Sequence, residues 1–207
     1  MKNRNSLIIL AVLLVFLAVV ITAAKSASPK VVSIPLSKMT DAKMIWHPTA
    51  APSAEVSYTK TLKQLEEMSD AIVLGHFSDD TLVYFTGNSS LTTYFDFVVE
   101  DVFKGSLKSG DKIKLSQPYH FDFGNDEEYV AVCVYPYFPS EIGRQYLFFL
   151  EYFERDKCWY PAASYKGRYE LPDTDQDPDT TLRQRIYDLR IKGYGALCDE
   201  VYKKYFP

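Results

Sequence analysis

The spacing of apolar positions changes along the chain, and each change marks an element. Residues 7–24 form an uncharged run made almost entirely of Leu, Ile, Val, Ala and Phe. Residues 25–58 lose all periodicity and hold Pro29, Pro35, Pro48 and Pro52 among Ser, Ala and Thr, the composition of a tether or loosely packed arm. Within that arm Met44, Ile45 and Trp46 form an apolar patch suited to docking on the body. At 61–69 the period becomes helical, with Leu62, Leu65 and Met68 on one stripe and Glu66 and Glu67 outward. Residues 71–75 then read as a buried strand. Two further strands, 82–86 and 91–103, flank Gly87-Asn88-Ser89-Ser90 as a hairpin. The longer one carries Phe95, Phe97 and Val99 on one face and Val98 and Val102 on the other. A strand apolar on both faces must bend or be covered on both sides, as in barrels and their bulges. Residues 112–115 alternate, with Ile113 and Leu115 inward, and 129–135, 145–152 and 159–169 supply more strands. From residue 178 the period is helical again. Leu182, Ile186 and Leu189 line one stripe, Gly193 and Gly195 interrupt it, and Leu197, Val201 and Tyr205 line a second. Strands first and helices last predict a mainly β body, an antiparallel barrel or sandwich with a helical C-terminal cap.

The apolar run is an export element. At about 1.5 Å per residue it spans roughly 27 Å, close to the hydrocarbon thickness of a bilayer. Lys2 and Arg4 precede it, which keeps the N-terminus cytoplasmic and sends the rest of the chain across the membrane. Its length suits a signal anchor, while Thr22-Ala23-Ala24 offers the small residues a signal peptidase reads, so anchor and cleaved signal both stand. No Cys follows the run to carry a lipid. The organisation expected is 1–24 signal peptide or anchor, 25–58 linker, 59–176 barrel and 177–207 C-terminal helices. The 207 residues carry 23 Lys and Arg against 27 Asp and Glu, and removing the export segment deepens the acidic balance. No basic face is available to displace phosphate counterions, so nucleic acid is excluded as a partner.

The order of core strands and turns carries a resemblance. Ser69-Asp70-Ala71-Ile72-Val73-Leu74-Gly75 opens a strand, and Val98-Val99-Glu100-Asp101-Val102-Phe103-Lys104-Gly105 leads into Leu107-Lys108-Ser109-Gly110-Asp111-Lys112-Ile113. Gly143-Arg144-Gln145-Tyr146-Leu147-Phe148-Phe149-Leu150 later precedes Tyr160-Pro161. Over residues 65–172 this resembles the netrin-like, metalloproteinase-inhibitor-like barrel as it occurs in secreted bacterial proteins. The resemblance implies a five-stranded OB-like β-barrel and an exported location. Animal inhibitors of this kind place an N-terminal cysteine on a catalytic zinc and use many disulfides; this chain has neither feature, so that activity does not transfer.

Candidate chemistry is sparse. Asp173, Asp175, Asp177 and Asp179 put carboxylates at alternate positions, as a Ca²⁺ loop does, but Pro178 stands where such a loop needs Gly and Gln184 where it needs a bidentate Glu. The same residues read first as a helix start, with Asp177 as cap, Pro178 in the first position and Asp179 favouring its positive end, and a weak cation site is the lesser reading. Asp122, Asp126, Glu127 and Glu128 read as a solvated acidic loop. Cys133, Cys158 and Cys198 allow one disulfide in an oxidising exterior, with Cys133 and Cys158 the favoured pair. His47, His76 and His120 lack zinc-site spacing, and no nucleophile motif surrounds any cysteine. Ser57-Tyr58-Thr59-Lys60 matches a penicillin-recognising pattern without its companion elements.

Aromatic residues are dense, with 13 Tyr, Phe or Trp between Tyr129 and Tyr169. Consecutive Phe148 and Phe149 fit a core, whereas Tyr135, Tyr137 and Trp159, which neighbour prolines or turns, read as a contact surface able to stack on sugars or anchor a peptide. The function expected is therefore a membrane-tethered or secreted envelope module without enzymatic activity or cofactor. Its partners would be the membrane, through residues 7–24, and an envelope protein or cell-surface polymer. The alternatives are an envelope hydrolase, joining His120 to Asp122 or Cys133, and a structural or weakly Ca²⁺-binding spacer.

Overall fold

Alternating segments become strands, and the longest of them organises the rest. The computed structural model describes residues 31–39, 43–46, 59–78, 81–86, 93–123, 129–133, 137–171 and 193–207. In chain order the described elements are β1 (Val31–Pro35), a 3-10 turn (Leu36–Met39), β2 (Lys43–Trp46), α1 (Leu62–Met68), β3 (Ala71–His76), β4 (Leu82–Thr86) and β5 (Thr93–Lys104). There follow β6 (Lys112–Ser116), β7 (Tyr119–Phe123), β8 (Tyr129–Cys133), β9 (Gln145–Phe153) and β10 (Cys158–Pro161). A 3-10 turn (Ser164–Gly167), β11 (Arg168–Glu170) and α2 (Tyr194–Tyr205) complete the chain.

Five strands close on themselves. β5 pairs with β3, β3 with β9, β9 with β10, β10 with β6, and β6 with β5 again. All these pairs are antiparallel except β10 with β6, where Trp159 lies opposite Leu115. The expected barrel is present, closed by one parallel pair. Its interior is aromatic: Phe77 packs edge-to-face on Phe97 at 5.1 Å, and Phe97 on Phe148 at 5.1 Å, the arrangement ring quadrupoles favour.

β5 meets its two-faced apolar pattern by bulging. Ile72 opposes Lys104 and Val73 opposes Val102, which leaves Phe103 as an extra residue. Leu74 opposes Asp101 and Gly75 opposes Val99, which leaves Glu100 as another. Each bulge turns its side chain out of the regular alternation. Phe103 is consequently half exposed, and Glu100 meets His76 Nδ1 at 2.7 Å. Gly75 lets the strands approach: a Cβ there would sit 2.0 Å from the Val98 carbonyl oxygen and 2.8 Å from the Phe97 ring.

Several boundaries differ from the sequence reading. The segment expected as a linker contains β1, which pairs with β4, and β2, which runs parallel to β8 in a separate three-stranded sheet with β7. The strand expected at 159–169 is two strands, β10 and β11, separated by a turn in which Ala163 and Ser164 take left-handed φ values of 52° and 56°. β10 covers one half of β9 and β11 the other. The second C-terminal stripe becomes α2, with Leu197 and Val201 buried and Tyr194 stacked on Tyr169. The stripe at Leu182, Ile186 and Leu189 and the apolar run 7–24 lie outside the described residues, among which no helix is long and apolar enough to cross a membrane.

A buried cation fastens the second sheet to the barrel. Arg168 of β11 is 1% exposed. Its guanidinium donates to Gln117 Oε1 at 3.1 Å, Ser140 Oγ at 2.6 Å and the Phe138 carbonyl at 2.6 Å, and it lies 4.0 Å over the Tyr137 ring. Gln117 Oε1 also accepts from the Tyr137 hydroxyl at 2.9 Å, while Gln117 Nε2 donates to the hydroxyl of Tyr119 on β7 at 3.2 Å.

α1 is fixed from both sides. Thr61 and Gln64 form a capping box at its start. Lys104 Nζ donates to the carbonyls of Glu66 and Ser69 at its end, at 2.7 and 2.6 Å. From α2, Glu200 accepts the Leu62 amide, and Lys204 Nζ and the Tyr205 hydroxyl both reach Glu66 Oε1, at 2.6 and 2.7 Å. Burial alone would raise the Glu66 carboxyl, but the hydrogen bonds from Lys204 and Tyr205 pull it below the usual glutamate value.

Two outcomes follow from this packing. Gly75→Ala will lower stability by about 3 kcal/mol in urea denaturation at an unchanged slope, because backbone rather than a flexible side chain must give way. Because the folded carboxyl is depressed, the contribution of Glu66 is present above the ordinary glutamate range and is lost as pH falls through the folded value. Glu66→Gln will therefore be less stable than the parent near neutrality, and the difference will close in acid.

Candidate functional site

Aromatic doublets on either side of a charged turn build an exposed apolar feature of the barrel, with two consecutive large side chains at the surface. β9 ends in Tyr152-Phe153, the turn is Glu154-Arg155-Asp156-Lys157, and β10 begins Cys158-Trp159-Tyr160. The Asp156 amide donates to the Phe153 carbonyl at 3.2 Å, and Lys157 takes a φ of 49°, so the chain reverses tightly. At the base, Asp70 clamps the hairpin to β3: its amide donates to the Leu150 carbonyl at 2.7 Å and its Oδ2 accepts the Tyr152 amide at 2.9 Å.

Register then brings the rings together. Trp159 lies directly opposite Tyr152, and their centroids are 5.0 Å apart. Phe153 packs on Tyr160 at 4.7 Å. Tyr152 is 40% and Phe153 44% exposed, each braced by a half-buried partner. Arg155 grips Asp156 through Nε–Oδ1 at 3.0 Å and Nη2–Oδ2 at 3.3 Å, and the Tyr160 hydroxyl donates to Asp156 Oδ2 at 3.2 Å. The Arg155 hydrogen bond holds the Asp156 carboxyl below its usual range. Burial pushes the Tyr160 and Tyr94 phenols upward, so all these groups keep their ordinary charge near neutrality.

The expected contact residues divide. Trp159 belongs to this hairpin. Tyr137 is corrected: it is fully buried, and its ring is the surface on which Arg168 lies. Tyr135 lies outside the described residues. Tyr152, Phe153 and Tyr160 were missed, although the signal was present: two apolar doublets around a four-residue charged turn are a hairpin pattern.

The cysteines are free and buried, and the expected bond between Cys133 and Cys158 is not made. Cys133 ends β8 in the three-stranded sheet, where its thiol contacts the Ala131 carbonyl, while Cys158 opens β10 in the barrel. Burial pushes the Cys133 thiol up to about 12 and raises that of Cys158, so neither forms a thiolate near neutrality.

His76 Nδ1 is committed to Glu100, whose other oxygen accepts from Gln145 Nε2 at 2.6 Å. His120 and Asp122 occupy β7, with their backbones opposite Val132 and Val130. Among the described residues no group of three or more His, Cys, Asp or Glu is placed to hold a metal. Asp173, Asp175, Asp177 and Asp179 lie outside those residues.

One open groove of about 430 Å³ lies between α1, α2 and the outer wall of β3 and β5, with Phe103 in its lining. Its charges are engaged with one another or with carbonyls: Lys63 with Glu67 at 3.7 Å, Lys204 with Glu66, and Lys104 at the end of α1. Comparison with known proteins finds no matching family model, no matching curated protein and no matching solved structure.

The burial of the three thiols sets an expected outcome. An aromatic disulfide reagent at neutral pH will release no chromophore from the native protein and three equivalents after unfolding. Fast release from the native state would show an accessible thiol.

Proposed function

We propose that this chain is an extracytoplasmic, membrane-tethered binding module of the cell envelope, without enzymatic activity, which engages its partner through the β9–β10 hairpin. The observation that carries the reading is the pair of consecutive exposed aromatic side chains, Tyr152 and Phe153, each braced by a cross-strand ring on a clamped turn. Rings held in this way lose little freedom on binding, so contact area converts to affinity efficiently.

The tether rests on the uncharged run 7–24 behind Lys2 and Arg4. The barrel is of the OB type, in the netrin-like manner. Support comes from the strand order β9-β3-β5-β6, a Greek key in which the fourth barrel strand returns beside the first, and from β10 inserted between β9 and β6. In OB-type barrels the loop between the fourth and fifth strands commonly contacts ligands, and the hairpin occupies that position here. The partner is an envelope protein or a cell-surface polymer. Absence of enzymatic chemistry agrees with thiols held protonated and with Arg155 and Asp156 satisfying each other at the hairpin tip.

A photoreactive phenylalanine analogue at position 153 of the full chain tests this in intact envelopes, with position 108, in an exposed turn, as the comparison. Adducts are expected from 153 and not from 108. Equal yields from both positions, or adducts from 108 alone, would refute the hairpin as the contact surface.

A further inference from the structure

The hairpin's geometry narrows the kind of partner it fits. Tyr152 and Phe153 are successive residues of a strand, so they project to opposite faces, and each is joined on its own face by one ring of β10. No single face therefore presents a continuous apolar patch. At 40% and 44% exposure the two rings offer roughly 200 Å² at most between them. A stable protein interface needs about 800 Å² per partner with a dry apolar centre. What surrounds each ring is polar: Glu151 beside it on the strand, Glu154 and Lys157 in the turn, and the Arg155–Asp156 fork with the Tyr160 hydroxyl on Asp156. A platform one ring wide, edged with planar charged groups, suits a ligand that is itself one ring wide and carries hydroxyls around an apolar face. A nucleobase meets part of that description, but its phosphates would face a chain of net charge −4.

We infer that the β9–β10 hairpin binds a glycan of β-linked pyranose units, whose C–H faces stack on Tyr152 and Phe153 while its hydroxyls meet the charged groups of the turn. β-1,4-linked glucose-type pyranoses form flat ribbons with apolar C–H faces on both sides and hydroxyls along the edges, so one ring of the hairpin covers one sugar. With rings on opposite faces, the hairpin offers two separate contacts, which neighbouring strands of a polymer can occupy together. The inference rests on the reading of the hairpin as the contact surface, and it selects the polymer over the protein as partner.

The test uses the full chain in a detergent that carries no sugar, titrated with chitohexaose and with cellohexaose and followed by saturation-transfer NMR and tryptophan fluorescence. Binding of at least one hexasaccharide in the micromolar to millimolar range is expected. It should weaken several-fold in Tyr152→Ala and in Phe153→Ala, each of which removes one of the two contacts, about tenfold when both are replaced, and stay unchanged in Phe103→Ala, which removes an exposed ring elsewhere on the barrel. Tyr152→Leu keeps bulk in the strand without the ring, so weakening there together with native near-ultraviolet dichroism separates lost stacking from lost folding. Failure of both hexasaccharides to bind, or equal binding by parent and hairpin variants, overturns the glycan assignment. If neither sugar binds while position 153 still forms adducts with an envelope protein, the hairpin remains the contact surface and only the glycan is wrong; absence of both signals removes both readings.

Discussion

The structure hangs on a positive charge placed where water cannot reach it. Taking a guanidinium out of water costs several kcal/mol even after the protein relaxes around it, and among the described residues no carboxylate pairs with Arg168. Its compensation is a cage of neutral acceptors and an aromatic face, contributed by Gln117 after β6, by Phe138 and Ser140 between β8 and β9, and by Tyr137. Because these groups come from separate stretches of chain, the three hydrogen bonds of the guanidinium form together only when all of them are in place, and its Nε finds no partner among the described residues. One Gln117 oxygen accepts from Tyr137, Ser140 and Arg168 together, so loss of Gln117 strips the buried Tyr137 hydroxyl of its acceptor and the guanidinium of one of three. Arg168 thus ties β11 to the segments that enter and leave the three-stranded sheet, beside the direct packing of Tyr119 on Phe95. Lysine could not replace it, since a point charge neither stacks on Tyr137 nor spans three acceptors.

Around that anchor the barrel solves a geometric problem set by β5. A strand apolar on both faces can close a barrel only by bending, and the two bulges supply the bend while turning Glu100 and Phe103 outward. The same closure draws β9 beyond the end of β3, where its last residues pair only with β10. That overhang is why aromatic residues stand clear of the core at the hairpin, and the Asp70 clamp is why they stand there in a fixed position.

Sequence pattern disclosed the elements whose periodicity is local. The helix at Leu62, Leu65 and Met68, the alternation of Ile113 and Leu115, and the two-faced strand through Phe95–Val102 all follow from burial repeating along one segment. The three-stranded sheet was not legible: β2 sits in a proline-rich stretch and finds its partner, β8, far along the chain, in a parallel pairing that leaves no local signature. Tyr137 was misplaced for a related reason. A tyrosine next to Pro136 looks like a turn residue, and nothing near it announces that an arginine thirty-one positions later will need its ring. The hairpin aromatics were legible in type, as doublets around a charged turn, but their exposure depended on where β3 stops.

The covering of β9 has a consequence for how the protein is made. Gln145–Phe153 reads QYLFFLEYF, rich in aromatic and aliphatic residues with a single charge and no proline, which is the composition of a segment that stacks into cross-β aggregates. In the folded chain one edge of this strand is sealed by β3 and the other by β10 and β11 in succession. Both covering strands on that second edge lie later in the sequence, so during synthesis β9 leaves the ribosome with an unprotected edge and must wait for Arg168–Glu170 before it is closed. That interval is the period of greatest exposure to misassembly, and a chaperone that shields extended apolar segments would act there.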